Sequence, residues 1–299
     1  MRKPDVIYIG LQKTGSAFLR SYFTQHPEVS WTRHATMFQL DPFVTSAYLD
    51  RFASQAHAPC IVDMYEGVGV GYRLGRAQAW SAKDALAPGA PLDGEVLIAD
   101  PQEIAARIKN ALPQANIILT FRNQVAWLKS NYLHYMLQLP QRRRSFADFL
   151  QTREGRLLLA AGDYSKIVDL YRNVFGPDRV CILLLEDIGS DEAGSLRALC
   201  SFLRVSYVPF SQISREYNTG IGAGRGALVR AYSKLGISDD VARRSRALLK
   251  PLEWLAMRRT SARAMSKGEE AMLRAFYAAG NYQLSRQLGR ELSMLGYTC

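Results

Sequence analysis

Cysteine and histidine are scarce, with four of each in 299 residues. The cysteines stand at 60, 181, 200 and 299, so none has the Cys-x-x-Cys spacing of a thiolate metal site or redox pair, and four are too few for a disulfide framework. A reducing compartment fits this usage, and the cytoplasm is the expected location. No apolar run approaches the ~18 residues that span a bilayer, since even Ile182 to Leu185 stops at Glu186 and Asp187. The apolar run near the N-terminus breaks at Gln12 and Lys13, which is too short for a signal peptide. A soluble protein is expected. Internal repeats and low-complexity tracts are absent too, which excludes solenoids and disordered arrays. Acidic residues thin out late: 22 Lys and Arg face 20 Asp and Glu up to residue 200, but 16 face 7 after it. The net charge of +11 is therefore a property of the last third, and a basic surface suits an anionic partner.

What the chain does have is 48% apolar residues, ample for a large core, arranged as strands alternating with helices. Val6 to Gly10 is a short β-rich run ending in glycine, followed by Ala17, Phe18, Tyr22 and Phe23 at helical spacing. Pro101 to Leu112 predicts a helix stopped by Pro113, and Ile117 to Phe121 a fully buried strand followed by another helix. A third unit runs from a helix over 165–175 through Gly176-Pro177 to a strand over Val180 to Leu185, then a helix from Gly194 to Leu203. This alternation predicts an α/β fold: a central parallel sheet flanked by helices, P-loop-like in its first turn, with a helical C-terminal region. Leu284, Leu288, Leu292 and Leu295 predict one apolar helix face docked on the core. The glycine-rich loop Tyr217 to Gly226 opens the basic C-terminal part.

Gly10 to Leu19 carries the first chemical signal. A strand entering a glycine-containing loop at a helix N-terminus turns backbone N–H groups outward, and the helix dipole adds about half a positive charge. Lys13 supplies a full charge, with Thr14 and Ser16 as hydroxyl donors. A Walker loop would place its lysine directly after the second glycine; here Ser16 follows Gly15 and Lys13 precedes it. That arrangement suits phosphate held without a metal. The second signal is Phe121-Arg122-Asn123, where Arg122 leaves the carboxyl end of a strand, the place where open α/β sheets bind ligands. Asn123 fits a helix cap, and Ser130 stands two helical turns on, so an arginine fork and a hydroxyl form a receptor for a phosphate dianion.

Together, Lys-Thr-Gly-Ser after the first strand and Arg-Asn-x6-Ser-x-Tyr after a central strand resemble the motifs of the sulfotransferase family, which uses 3'-phosphoadenosine 5'-phosphosulfate (PAPS). By the resemblance, Lys13, Thr14, Gly15, Ser16, Ala17 and Phe18 hold the 5'-phosphosulfate and Arg122 with Ser130 the 3'-phosphate, with PAPS as co-substrate and no metal. Gln12 and Gln124 replace the family's usual prolines, Ala17 replaces a threonine and Trp127 an arginine. Softer matches are His26-Pro27, Glu186-Asp187-Ile188, Phe202-Leu203, Asn281 to Leu284 and Leu295-Gly296-Tyr297, which point to the bacterial, glycan-type branch. Residues 1–299 then form one sulfotransferase domain, with 1–205 as nucleotide-binding core and 206–299 as Gly-rich loop and basic helices. Arg225 in that loop corresponds to family residues that close over the 3'-phosphate.

Sulfuryl transfer needs a base near the phosphosulfate loop. His34 stands where the glycan-type branch carries its glutamate base, and an imidazole accepts a proton at neutral pH. Asp63 and Glu66 are its rivals, while His134 and the Arg142 to Arg144 run read as structural and solvated. The implied acceptor is a glycan, lipid-linked glycan or small metabolite. Nucleic acid is not expected as a partner, and peripheral membrane contact stays open for the basic third. Two other readings remain at this point: an ATP- and magnesium-dependent phosphotransferase, and a non-catalytic nucleotide or polyanion binder, which would show salt-steep binding.

Overall fold

The computed structural model describes residues 4–32, 59–64, 100–138, 145–210 and 265–299. Five strands, β1 (Val6–Tyr8), β2 (Val29–Thr32), β3 (Cys60–Met64), β4 (Asn116–Phe121) and β5 (Val180–Leu184), form one sheet in the order β2-β3-β1-β4-β5. Every pairing is parallel, with Val6 opposite both Val62 and Asn116, so β1 is the central strand. Strands buried on both sides alternate their side chains between two cores. Ile7, Ile61, Ile117, Leu119 and Phe121 point to one face, and Val6, Tyr8, Val62, Met64 and Ile118 to the other.

The second face is covered by α1 (Ser16–Gln25), through Phe18, Leu19, Tyr22 and Phe23, and by α8 (Glu192–Leu203), through Leu196, Leu199, Cys200 and Leu203. The end of α1 is tied to the stretch after α8. His26 Nδ1 accepts the Glu28 N–H, so Nε2 carries the proton and donates to the Ser206 carbonyl at 2.8 Å. Tyr22 donates its hydroxyl to the Val208 carbonyl at 3.0 Å.

The first face carries more helices. α2 (Pro101–Ala111) starts from an Asp100 cap that accepts the Gln102 N–H and buries Ile104, Ala105, Ile108 and Ala111. Each of the two isoleucines contributes about 1.5–3 kcal/mol by leaving water. α3 (Gln124–Gln138), α4 (Phe146–Gln151), α5 (Arg153–Ala161) and α6 (Tyr164–Phe175) follow, and α6 lies across β4 and β5. The short pair α4 and α5 is divided at Thr152, which ends one helix and caps the other by accepting the Gly155 N–H.

Two sequence expectations change at helix ends. Leu185 does not extend β5 but begins α7 (Leu185–Ser190), which sets Glu186 at the carboxyl edge of the sheet. The leucine stripe is not one helix: α9 (Lys267–Leu288) stops because Gly289 takes a left-handed conformation, and the Gly289 and Arg290 N–H groups close on Ser285 and Arg286 carbonyls. Leu292 and Leu295 still reach the same core as Leu284 and Leu288, by way of that turn. α9 packs on α6 and α3, starting from a Ser266–Glu269 capping box. Among the described residues, no helix is long and apolar enough to cross a membrane.

Candidate functional site

In the order β2-β3-β1-β4-β5 the chain passes from β1 to the edge strand β2, returns to β3 beside β1, and crosses to β4 and β5 on the other side, so the loops after β1 and β4 emerge side by side at the carboxyl edge. That crevice is where doubly wound sheets bind ligands. Residues 9–15 join β1 to α1 and turn twice into the left-handed region, at Lys13 (φ 67°) and Gly15 (φ 104°). For a lysine this costs on the order of 1 kcal/mol, and left-handed residues alternating with others are the backbone pattern from which anion nests are built. Gly15 occupies the cap position of α1 and provides no side-chain cap, and the first turn holds no acidic residue. The first-turn amides, from Ser16 through Ala17 and Phe18, lack an intrahelical carbonyl one turn back and add the positive end of the helix dipole. The Phe18 ring is buried edge-on against Phe210, which leaves only its amide facing the loop end of α1.

Thr14 faces inward. A hydroxyl has one proton to give, and Thr14 gives its own to the Leu11 carbonyl at 2.5 Å. Thr120 of β4 therefore donates to Thr14 at 2.7 Å, and Tyr8 of β1 donates to Thr120 at 2.7 Å. The three residues are fully buried, and the relay fixes the loop to the two central strands. Gly10 lies against it: a Cβ there would overlap the Thr120 and Tyr8 oxygens. The Thr14 hydroxyl thus shapes the loop instead of facing a ligand, which differs from its reading as a donor in the sequence.

After β4, Arg122 and Ser130 are both half-buried, and neither side chain has a hydrogen bond or ion pair among the described residues. The Arg122 carbonyl accepts the Tyr164 hydroxyl at 2.7 Å, and the Tyr164 ring stacks on Phe121 at 4.3 Å. Asn123 caps α3 by accepting the Ala126 N–H at 3.3 Å. The two loops are joined by a contact that the sequence does not announce. Trp127, fully buried where the family carries an arginine, donates its indole N–H to the Gln12 carbonyl at 2.8 Å.

Asp63 lies on β3, level with Ile7 of β1 and Thr32 of β2. It is fully buried and accepts the Thr32 hydroxyl at 2.8 Å. His34, Glu66, Arg225 and Tyr217 lie outside the described residues, as do the 142–144 run and the His134 side chain. No group of three or more His, Cys, Asp or Glu side chains among the described residues is placed to hold a metal.

The far end of the chain also reaches the β4 loop. Glu186 accepts the Asn123 N–H at 2.8 Å with one oxygen and the Tyr297 hydroxyl at 3.1 Å with the other. Burial and the neighbouring carboxylate push the Tyr297 phenol well above its ordinary range. Asn123 Nδ2 donates to the Gly296 carbonyl at 2.6 Å, which also accepts from Arg274 at 3.0 Å. Gln124 and Asn281 exchange amide hydrogen bonds at 2.6 and 3.3 Å, which the family's proline at 124 could not do. The short sequence matches at 186–188, 281–284 and 295–297 are thus neighbours in space.

A family model described as the sulfotransferase family matches residues 4–209. Among solved structures, a sulfotransferase from Alicyclobacillus acidocaldarius matches with a TM-score of 0.64 over 98% of this chain and 99% of its own, at 18% identity. A sulfotransferase domain from the curacin biosynthetic pathway gives 0.40 over 76% of this chain and 83% of its own, at 17% identity. Mouse sulfotransferase SULT7A1 complexed with PAP gives 0.43 over 73% and 66%, at 14% identity. The likeness to the Alicyclobacillus protein is one of fold, along nearly the whole of both chains. No curated protein matches the chain in sequence.

Proposed function

The chain belongs to the sulfotransferase family, and we propose that it moves a sulfuryl group from PAPS to a hydroxyl or amine of a carbohydrate or glycoconjugate, as in the glycan-type branch. The observation that supports this reading is a pair of differently built anion receptors on the neighbouring strands β1 and β4. One is a nest of amides with Lys13; the other is a guanidinium and a hydroxyl without partners among the described residues. A nucleotide with anionic groups at both 5' and 3' positions matches two receptors, whereas a 5'-monophosphate uses one.

Bound PAPS supplies a sulfuryl group carried on a phosphate leaving group. Lys13 neutralises the charge that develops on that phosphate, and the amides of residues 15–18 keep the anion in place. Arg122 and Ser130 hold the 3'-phosphate, joined by Arg225. The acceptor's proton passes to His34, Asp63 or Glu66; for Asp63, the Thr32 hydroxyl orients the carboxylate. The positive charge comes from side chains and amides, so no metal is invoked. We treat residues 1–299 as one cytoplasmic catalytic domain, with 206–299 contributing the closing loop.

Calorimetric titration with adenosine 3',5'-bisphosphate, 5'-AMP and ATP–magnesium tests the donor site. Metal-free binding that favours the bisphosphate is expected; preference for ATP–magnesium would make phosphoryl transfer the better reading. Single replacement of His34, Asp63 and Glu66 identifies the base, which is the one whose loss slows turnover about 100- to 10,000-fold.

A further inference from the structure

Arg122 leaves β4 with a guanidinium that has no partner among the described residues, yet the residues after it are held on several sides. Asn123 has four bonds: its N–H goes to Glu186, its carbonyl accepts the Trp127 N–H, its Oδ1 caps α3, and its Nδ2 reaches the Gly296 carbonyl. Gln124 is locked to Asn281, whose Nδ2 also donates to the Thr298 carbonyl at 3.0 Å. Glu186 spends both carboxylate oxygens on this junction and none on Arg122. It therefore sets the backbone beside the arginine and forms no ion pair with it among the described residues. The tail is anchored a second time where Arg290 forms a two-point ion pair with Asp187. Tyr297 is 2% exposed, so water cannot easily replace its hydroxyl bond when Glu186 is removed.

We propose that Glu186 and the Gly296-Tyr297 segment are positioning elements of the 3'-phosphate receptor: they fix the backbone from which Arg122 projects and thereby set the preference for a 3'-phosphorylated nucleotide. This inference rests on the donor-site reading above. The loop after β1 has fastenings of its own in the Tyr8-Thr120-Thr14 relay, besides the Trp127 bond it shares with α3, so the tail acts chiefly on the other end of the ligand.

The test uses the full chain with Glu186→Ala and Tyr297→Phe, each titrated with adenosine 3',5'-bisphosphate and with 5'-AMP and checked by thermal unfolding. For Glu186→Ala we expect bisphosphate affinity to fall about tenfold or more, because small misplacement of a charged contact is amplified in binding. For Tyr297→Phe, which keeps the ring and loses one hydrogen bond, we expect about a threefold fall. In both, 5'-AMP affinity stays within about twofold, so that the preference ratio shrinks. Equal losses for the two ligands, or an unchanged ratio in folded variants, overturn the positioning role. If Glu186→Ala does not fold, the ratio in Tyr297→Phe decides. A wild-type protein with no bisphosphate preference overturns the donor-site reading instead.

Discussion

The loop after β1 and the loop after β4 lie side by side on neighbouring strands, yet different parts of the chain hold them in shape. The β1 loop is fastened from inside, by a hydroxyl relay that runs from Tyr8 through Thr120 to Thr14 and by the buried Trp127 indole. The β4 loop is fastened from outside, by Glu186, Asn281 and Gly296, which lie 63 to 173 positions along the chain from their partners. A receptor for the reacting end of a ligand gains from rigid attachment to the sheet, because charge develops there in the transition state. A receptor for the remote end needs only to select and orient, and packing between distant elements can supply that.

This contrast can be broken from either side. The largest effect is expected for Lys13→Ala: turnover falls about 100- to 1,000-fold, more than bisphosphate affinity does, because the lost charge acts mainly on the leaving group. Comparing kcat with the dissociation constant checks this; an equal loss in both would make Lys13 a ground-state binder. Next comes Arg122→Ala, which removes a charge-assisted contact of about 1.5–3 kcal/mol and should weaken bisphosphate binding roughly 10- to 150-fold while sparing 5'-AMP. Titration of both ligands reads this directly, and parallel losses would refute the division of labour. The smallest effect is expected for Thr120→Val, which keeps the shape but removes both relay hydrogen bonds made by the Thr120 hydroxyl. A loss of about 1–2 kcal/mol in stability is expected, read as a lower denaturant midpoint at unchanged slope. No change would mean that the relay does not hold the loop.

The sheet was legible wherever a strand formed a predominantly apolar run, as in β1, β4 and β5. The turns after β1 and β4, the proposed anion receptors, were legible as turns because glycine, lysine and arginine stand at strand ends. β2 escaped notice because it has four residues, two of them polar, and α4 and α5 because neither is longer than nine residues and Thr152 interrupts them. The leucine stripe misled about helix length, since a left-handed turn at Gly289 preserves the burial pattern while ending the helix. The roles of Trp127, Thr120 and Gln124 could not be read at all. Each depends on a partner more than a hundred positions away, and two of them look like substitutions that remove function, an indole for a guanidinium at 127 and an amide for a proline at 124.

The central place of β1 also has a bearing on synthesis. Val6 pairs with Val62 on one side and Asn116 on the other, so β1 leaves the ribosome before either partner and is exposed along both edges until those two later segments arrive. An apolar strand with unpaired edges invites association with other nascent chains. Parallel sheets assembled from such distant pairings form slowly. The yield of folded protein should therefore respond to translation speed and to chaperones that shelter β1, more than to the stability of the finished fold.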